Sequence, residues 1–158
     1  MRKLVLDPDP RLRQLCARVE KIDSYVRALA KEMTNYVQVY THMVGEQELK
    51  SLGLAAPQFG ELLQLFVIVT PALNITAINP RLTKTAGSRK LYEACLSLPG
   101  RMFVVERPKL VKFKGLTLGG EERTWKVHDQ LAQVVMHEME HLRGILVADV
   151  AITEVKDF

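Results

Sequence analysis

Near the end of this 158-residue chain stand five residues, His137-Glu138-Met139-Glu140-His141, that restrict the fold more than any other stretch. On an α-helix, positions i and i+4 share a face about one turn apart, so both imidazoles reach one metal ion only if this segment is helical. Glu138 then stands beside that ion as a base. A catalytic site of this kind needs a third protein ligand. Patterns that take it from downstream fail here: a following histidine would fall at position 147, which is Val147, and Glu154 lies only 13 residues beyond His141. The ligand therefore comes from upstream, from Cys16, His42, Cys95 or His128. The fold must carry one of them back to the helix.

Cys95 stands out because Glu93-Ala94-Cys95-Leu96-Ser97 reads as a strand followed by a Pro99-Gly100 turn, and a strand is a rigid place for a ligand. One thiolate and two imidazoles leave a fourth position for water, the open geometry of a catalytic site. That donor set suits zinc, ferrous iron, cobalt or nickel. Cys16, between Leu15 and Ala17, reads as a buried apolar residue, and His42 and His128 read as partly exposed.

Elsewhere the periodicities set the class. Val26, Leu29, Ala30, Met33, Val37 and Tyr40 recur at three and four, with Asp23 or Ser24 as N-cap, which predicts an amphipathic helix. A polar break follows at 45–51. Short apolar runs at 62–69, 73–78, 91–98, 102–105 and 109–113, bounded by Pro, Gly or Lys/Thr turns, predict strands, and Gly119-Gly120 predicts a hairpin. From residue 129, Leu131, Val134, Val135, Met139 and Leu142 mark a second helix that stops at Gly144. The order helix, strands, helix predicts an α+β domain spanning 1–158, with antiparallel or mixed sheets packed around the C-terminal, metal-binding helix. With 47% hydrophobic residues the chain can bury a core, and its apolar runs, LFVIV among them, fall far short of a membrane span. The N-terminus has neither signal-peptide nor transit-peptide character, so the expected location is the cytoplasm, with both cysteines free. The net charge of +4 is spread over small clusters, and no DNA-binding stripe is expected.

Three segments, Gly53-Leu54-Ala55-Ala56-Pro57-Gln58, then Glu93-Ala94-Cys95-Leu96-Ser97, then His137-Glu138-Met139-Glu140-His141, resemble in this order the signature motifs of peptide deformylases. DPDPRLR near the start, Asn79-Pro80, Pro99-Gly100 with Arg107 beyond it, and His141-Leu142 with Gly144 extend the resemblance over roughly residues 4–150. It implies a metal-dependent amidohydrolase that removes the formyl group from N-formylmethionine on nascent peptides. By position, Cys95, His137 and His141 would hold the metal, with water as fourth ligand and Fe(II) in the cell, and zinc, nickel or cobalt in purified protein. Glu138 would take a proton from that water and return it to the departing amine. Gln58, through its side-chain amide, and Leu96, through its backbone N–H, would meet the negative oxygen, and Leu52, Gly53, Leu91, Glu93, Gln133 and Val134 would contact substrate. Retention of Glu138 and Gln58 beside all three ligands argues for catalysis over a non-catalytic binder of nascent N-termini. The remaining alternatives are a metallopeptidase and a hydrolase of another N-formyl compound.

The chain departs from the family pattern at Ser51, Ala94, Met136 and Glu140, where glycine, glycine, glutamine and aspartate are usual. Glycine at 94 would serve a positive φ. Gln130 and Gln133 fall where the family has an apolar pocket, so they either make that pocket polar, favouring a first side chain other than methionine, or turn to solvent. Many relatives carry a longer C-terminal helix that contacts the ribosome. Here 17 residues follow His141, so docking by that route is not expected, and the basic balance leaves a weak attraction to ribosomal RNA.

Overall fold

Asp23 starts the first helix, its carboxylate accepting from the Val26 N–H at 3.0 Å. The computed structural model describes residues 2–44 and 52–156. In it α1 runs Ser24–Val44, and Val26, Leu29, Ala30, Met33 and Val37 form its buried stripe, as the periodicity predicts. The polar break at 45–51, with Ser51, lies outside the described residues.

The strands follow as β1 (Leu52–Ala55), β2 (Leu65–Val69), β3 (Asn74–Ala86), β4 (Arg89–Ala94), β5 (Met102–Arg107), β6 (Leu110–Leu116) and β7 (Glu122–His128). Helices α2 (Asp129–His141) and α3 (Val147–Val150) and a short β8 (Thr153–Val155) complete the order. Strands β1-β2-β3-β6-β7 form one sheet and β4-β5-β8 another. All their ladders are antiparallel, with one isolated parallel bridge between Ala17 and Leu63. This is the α+β arrangement expected.

Alternation along the strands divides the larger sheet into two faces. Leu54, Leu65, Val67 and Ile78 pack with α1, while Ala55, Phe66, Ile68, Ala77 and Phe113 pack with α2. Leu98, Phe103, Val105, Leu146 and Val147 form a third cluster around the smaller sheet. Among the described residues, no helix is long and apolar enough to cross a membrane.

Four details differ from the sequence reading. Segment 52–55 is a strand, hidden from a pattern search by Gly53. Strand β3 does not end at 78 but passes through Asn79-Pro80 on a register shift; Asn79 takes φ 50° and its side chain clasps Val19 through both N–H and C=O, at 2.8 and 3.0 Å. Strand β4 stops at Ala94, so Cys95 lies not on a strand but in the turn that follows, closed by Leu98 N–H to Cys95 C=O at 3.0 Å. The β4–β5 ladder ends at Ala94–Met102, and the chain reverses between them. Residues 147–150 form the short α3, too brief for periodicity to reveal.

Helix α2 ends at His141, and Gly144 follows with φ 71°. A Cβ there would lie 2.5 Å from the Arg13 backbone, so glycine serves both the turn and the close approach of the N-terminal segment.

Candidate metal centre

Helix α2 presents its histidines from one face, as the i, i+4 spacing requires. His137 and His141 bring their Nε2 atoms to 3.1 Å, and the Cys95 Sγ lies 3.3 Å from His141 Nε2. The three candidate ligand atoms all lie within 4.8 Å of one another. The turn after β4 and the last two turns of α2 thus meet at one point. Cys16, His42 and His128 are not part of this group: Cys16 is buried elsewhere, with its thiol pushed up to about 11 by desolvation, and the two histidines are exposed.

The group is held from behind by three charged side chains, Glu93, Arg107 and Glu140. Glu93, read from the resemblance as a substrate contact, directs its carboxylate to His137 Nδ1 at 2.6 Å and to Arg107 at 2.6 and 3.0 Å. Arg107 also donates to both oxygens of Glu140, at 2.6 and 2.9 Å. The longer Glu140, in place of aspartate, meets the guanidinium end-on through Nη1 and Nη2, while Glu93 takes the Nε edge. With Nδ1–H donating to Glu93, the neutral His137 ring presents its Nε2 lone pair to the group. A signal for Arg107 did exist, since β5 alternation places it on the inward face with Phe103 and Val105. Burial alone would push the Glu93 carboxyl up, but hydrogen bonds from His137 and Arg107 outweigh it and hold it at about 2. His137 is pulled both ways, and the nearby Cys95 and Glu93 raise it against burial. His141 is pushed down by burial and by His137.

Glu138 is 2% exposed, and its Oε2 has no hydrogen-bond partner among the described residues; the same holds for His141 Nδ1. Burial raises the Glu138 carboxyl to about 7. Its position depends on Gly53 in β1, where a Cβ would lie 2.4 Å from Oε1. Gly53→Ala is therefore expected to displace the carboxylate and lower turnover about 100-fold, the scale of a 1 Å misplacement, with metal content unchanged. Parent-level turnover in that variant would show that the carboxylate has room to spare.

Gln58 follows β1 and is 1% exposed. The Ala55 N–H donates to its Oε1 at 2.9 Å, which fixes the amide so that Nε2 faces Ser97 Oγ at 3.1 Å and Cys95 Sγ at 3.8 Å.

A cavity of 740 Å³ opens onto the group, lined by Leu52, Gly53, Gln58, Glu93, Leu96, Gln130, Gln133, Val134 and Glu138 among others. Leu91, also expected there, packs instead against the Phe103 cluster, on the inward side of β4. Gln133 lines this cavity as expected, and its amide donates to Tyr92 C=O at 3.0 Å and Glu93 Oε2 at 3.2 Å, tying α2 to β4. Ala94 lies in β4 without a positive φ, so the conformation expected to demand glycine is absent. Met136 packs against the core between α2 and the sheet.

The donor set fits a divalent metal ion. Two imidazole nitrogens and a thiol converge, with His137 Nδ1 already engaged by Glu93, and a buried carboxylate oxygen beside them lacks a partner among the described residues.

Comparison with known proteins points the same way. Residues 1–157 match the family model described as Polypeptide deformylase. The chain is 39% identical over 154 residues to the peptide deformylase of Alkaliphilus metalliredigens, covering 98% of this chain and 99% of that one. The crystal structure of peptide deformylase from Thermotoga maritima matches with a TM-score of 0.85 at 28% identity, covering 97% and 99% of the two chains. The deformylase of Synechococcus elongatus in complex with actinonin matches with a TM-score of 0.85 at 33% identity, covering 96% of this chain and 79% of that one.

Proposed function

The chain belongs to the polypeptide deformylase family, and from that premise we propose that it hydrolyses the N-formyl group of nascent peptides beginning with formylmethionine. The observation that carries this reading is the convergence of Cys95, His137 and His141 within 4.8 Å beside a buried, unpartnered Glu138 oxygen. Cys95, His137 and His141 would hold the ion, Fe(II) in the cell and zinc, nickel or cobalt in purified protein. When bound, a divalent metal supplies Lewis acidity and an acidified water.

The chain's own residues do the rest. Glu138 takes a proton from water near neutral pH, where its raised carboxyl both accepts and releases one, and hands it to the amine that leaves. Gln58 Nε2, held in place from Ala55, donates to the formyl oxygen as it becomes negative, together with the Leu96 N–H. Glu93, oriented by Arg107, keeps His137 in the ligating tautomer. Leu52, Gly53 and Val134 border the substrate cavity, while the engagement of Gln133 with β4 leaves any preference for a polar first side chain to Gln130. Residues 1–158 act as one catalytic domain, working in the cytoplasm in loose contact with ribosomes.

Formate release from a formyl-Met-Leu peptide tests the reading, on protein prepared without oxygen and loaded in turn with iron, nickel, cobalt and zinc. Activity should vanish with a chelator, the thermal midpoint should fall, and reloading should restore both. No formate with any of the four metals would overturn it.

A further inference from the structure

The larger sheet has one face that α1 covers chiefly over β1 and β2, its cluster reaching β3 and β6 at Ile78 and Leu116. Farther along the same face, beyond Ile78 and Leu116, five positions are cationic, with Glu122 and Thr124 of β7 beside them. Lys84 of β3 is the cross-strand partner of Lys112 of β6, and Lys112 is the partner of Lys126 of β7, so three exposed lysines stand in one row across three strands. Arg81 and Lys114 form the next row and share a single carboxylate, Glu122, at 3.1 and 3.6 Å. No carboxylate of the described residues lies within 4.0 Å of Lys84, Lys112 or Lys126.

Like charges directly opposite one another weaken a sheet, and strands sit only about 4.8 Å apart. Lysine on an edge strand protects against edge-to-edge aggregation, which accounts for Lys126 on β7. It does not account for Lys112, because β6 lies between β3 and β7. Five cations against one carboxylate give this patch an excess equal to the whole chain's net charge of +4. The formal charges of the rest of the chain sum to zero.

We propose that this face, centred on Lys84, Lys112 and Lys126, docks on the phosphate backbone of structured RNA. Flexible ammonium groups in rows meet a ridge of phosphates without reading bases, so the contact is sequence-independent and releases counterions. RNA is the fitting polyanion for an enzyme whose proposed substrates emerge from ribosomes, although the charge pattern stands apart from the catalytic reading. The chemistry and the docking are therefore tested separately.

Fluorescence anisotropy with a labelled RNA duplex, titrated at several salt concentrations between 50 and 200 mM, reads the contact. The parent should bind with an affinity that falls steeply with salt. The triple variant Lys84→Gln/Lys112→Gln/Lys126→Gln should flatten the log–log salt slope by about 2–3 and weaken binding at 50 mM salt at least about tenfold. The corresponding triple Lys→Arg variant should retain the slope. Formate release should be equal in all three proteins, which also reports that they are folded; if the triple Gln variant fails to fold, Lys112→Gln alone should flatten the slope by about 1. No RNA binding by the parent at 50 mM salt, an unchanged slope in the Gln variants, or tighter binding to anionic phosphatidylglycerol vesicles or polyglutamate than to RNA would each overturn the proposal.

Discussion

Glu138→Gln is expected to lower kcat for formate release by about 100- to 10,000-fold, the range associated with loss of a positioned acid–base group, while the metal content stays at the parent level. The amide has nearly the shape of the carboxyl, so it fits against Gly53, where a Cβ at that position would come within 2.4 Å of Oε1. It cannot accept a proton. The parent carboxyl, lifted to about 7 by burial, gives and takes one near neutrality, and its Oε2 has no hydrogen-bond partner among the described residues. Parallel assays of formate release and metal content check this. More than a tenth of parental turnover at equal metal would remove Glu138 from the proton path.

Arg107→Met should cost the fold about 3–5 kcal/mol, the penalty for stranding buried charges, measured by denaturant unfolding. Arg107 is 3% exposed, and its guanidinium bridges Glu93 and Glu140. Methionine fills the volume but takes from Glu93 and Glu140 their shared cation. The effect has a sign with pH. In the parent, Glu93 has a folded pKa depressed to about 2, so its contribution is complete above about pH 4.5 and is lost as pH falls toward 2. Without Arg107 the carboxyl shifts upward, the protonated form becomes tolerable, and the deficit relative to the parent should shrink as the solution is acidified. A deficit that grew on acidification would contradict this. Formate release should also drop, because Glu93 would no longer hold His137 in one tautomer.

The parts of the site that depend on spacing were legible in the sequence. A helical i, i+4 pair fixes its own geometry, and exclusion of downstream ligands left Cys95 among four upstream residues, with its motif favouring it. What escaped were relations between segments far apart in the chain. Arg107 joins Glu93 and Glu140 across 14 and 33 positions, a link that no local pattern encodes, although a charged residue on the inward side of β5 marked the place. Asn79 shows the same limit: Asn-Pro reads as a turn, but tertiary bonds to Val19 turn it into a bulge within a long strand. The helical projection placed Gln133 at the cavity, where it lies, but the acceptors that β4 offers its amide were invisible to periodicity.

The seam between the smaller sheet and α2 also sets an order of events during synthesis. Both imidazoles lie after β1–β7 in the chain, so the Cys95 thiol leaves the exit tunnel 42 residues before its first partner. Until α2 has emerged and docked, that sulfur has no chelate to join and stays open to oxidants. Capture of the ion is therefore a late step, and it reports that two distant parts of the architecture have found each other.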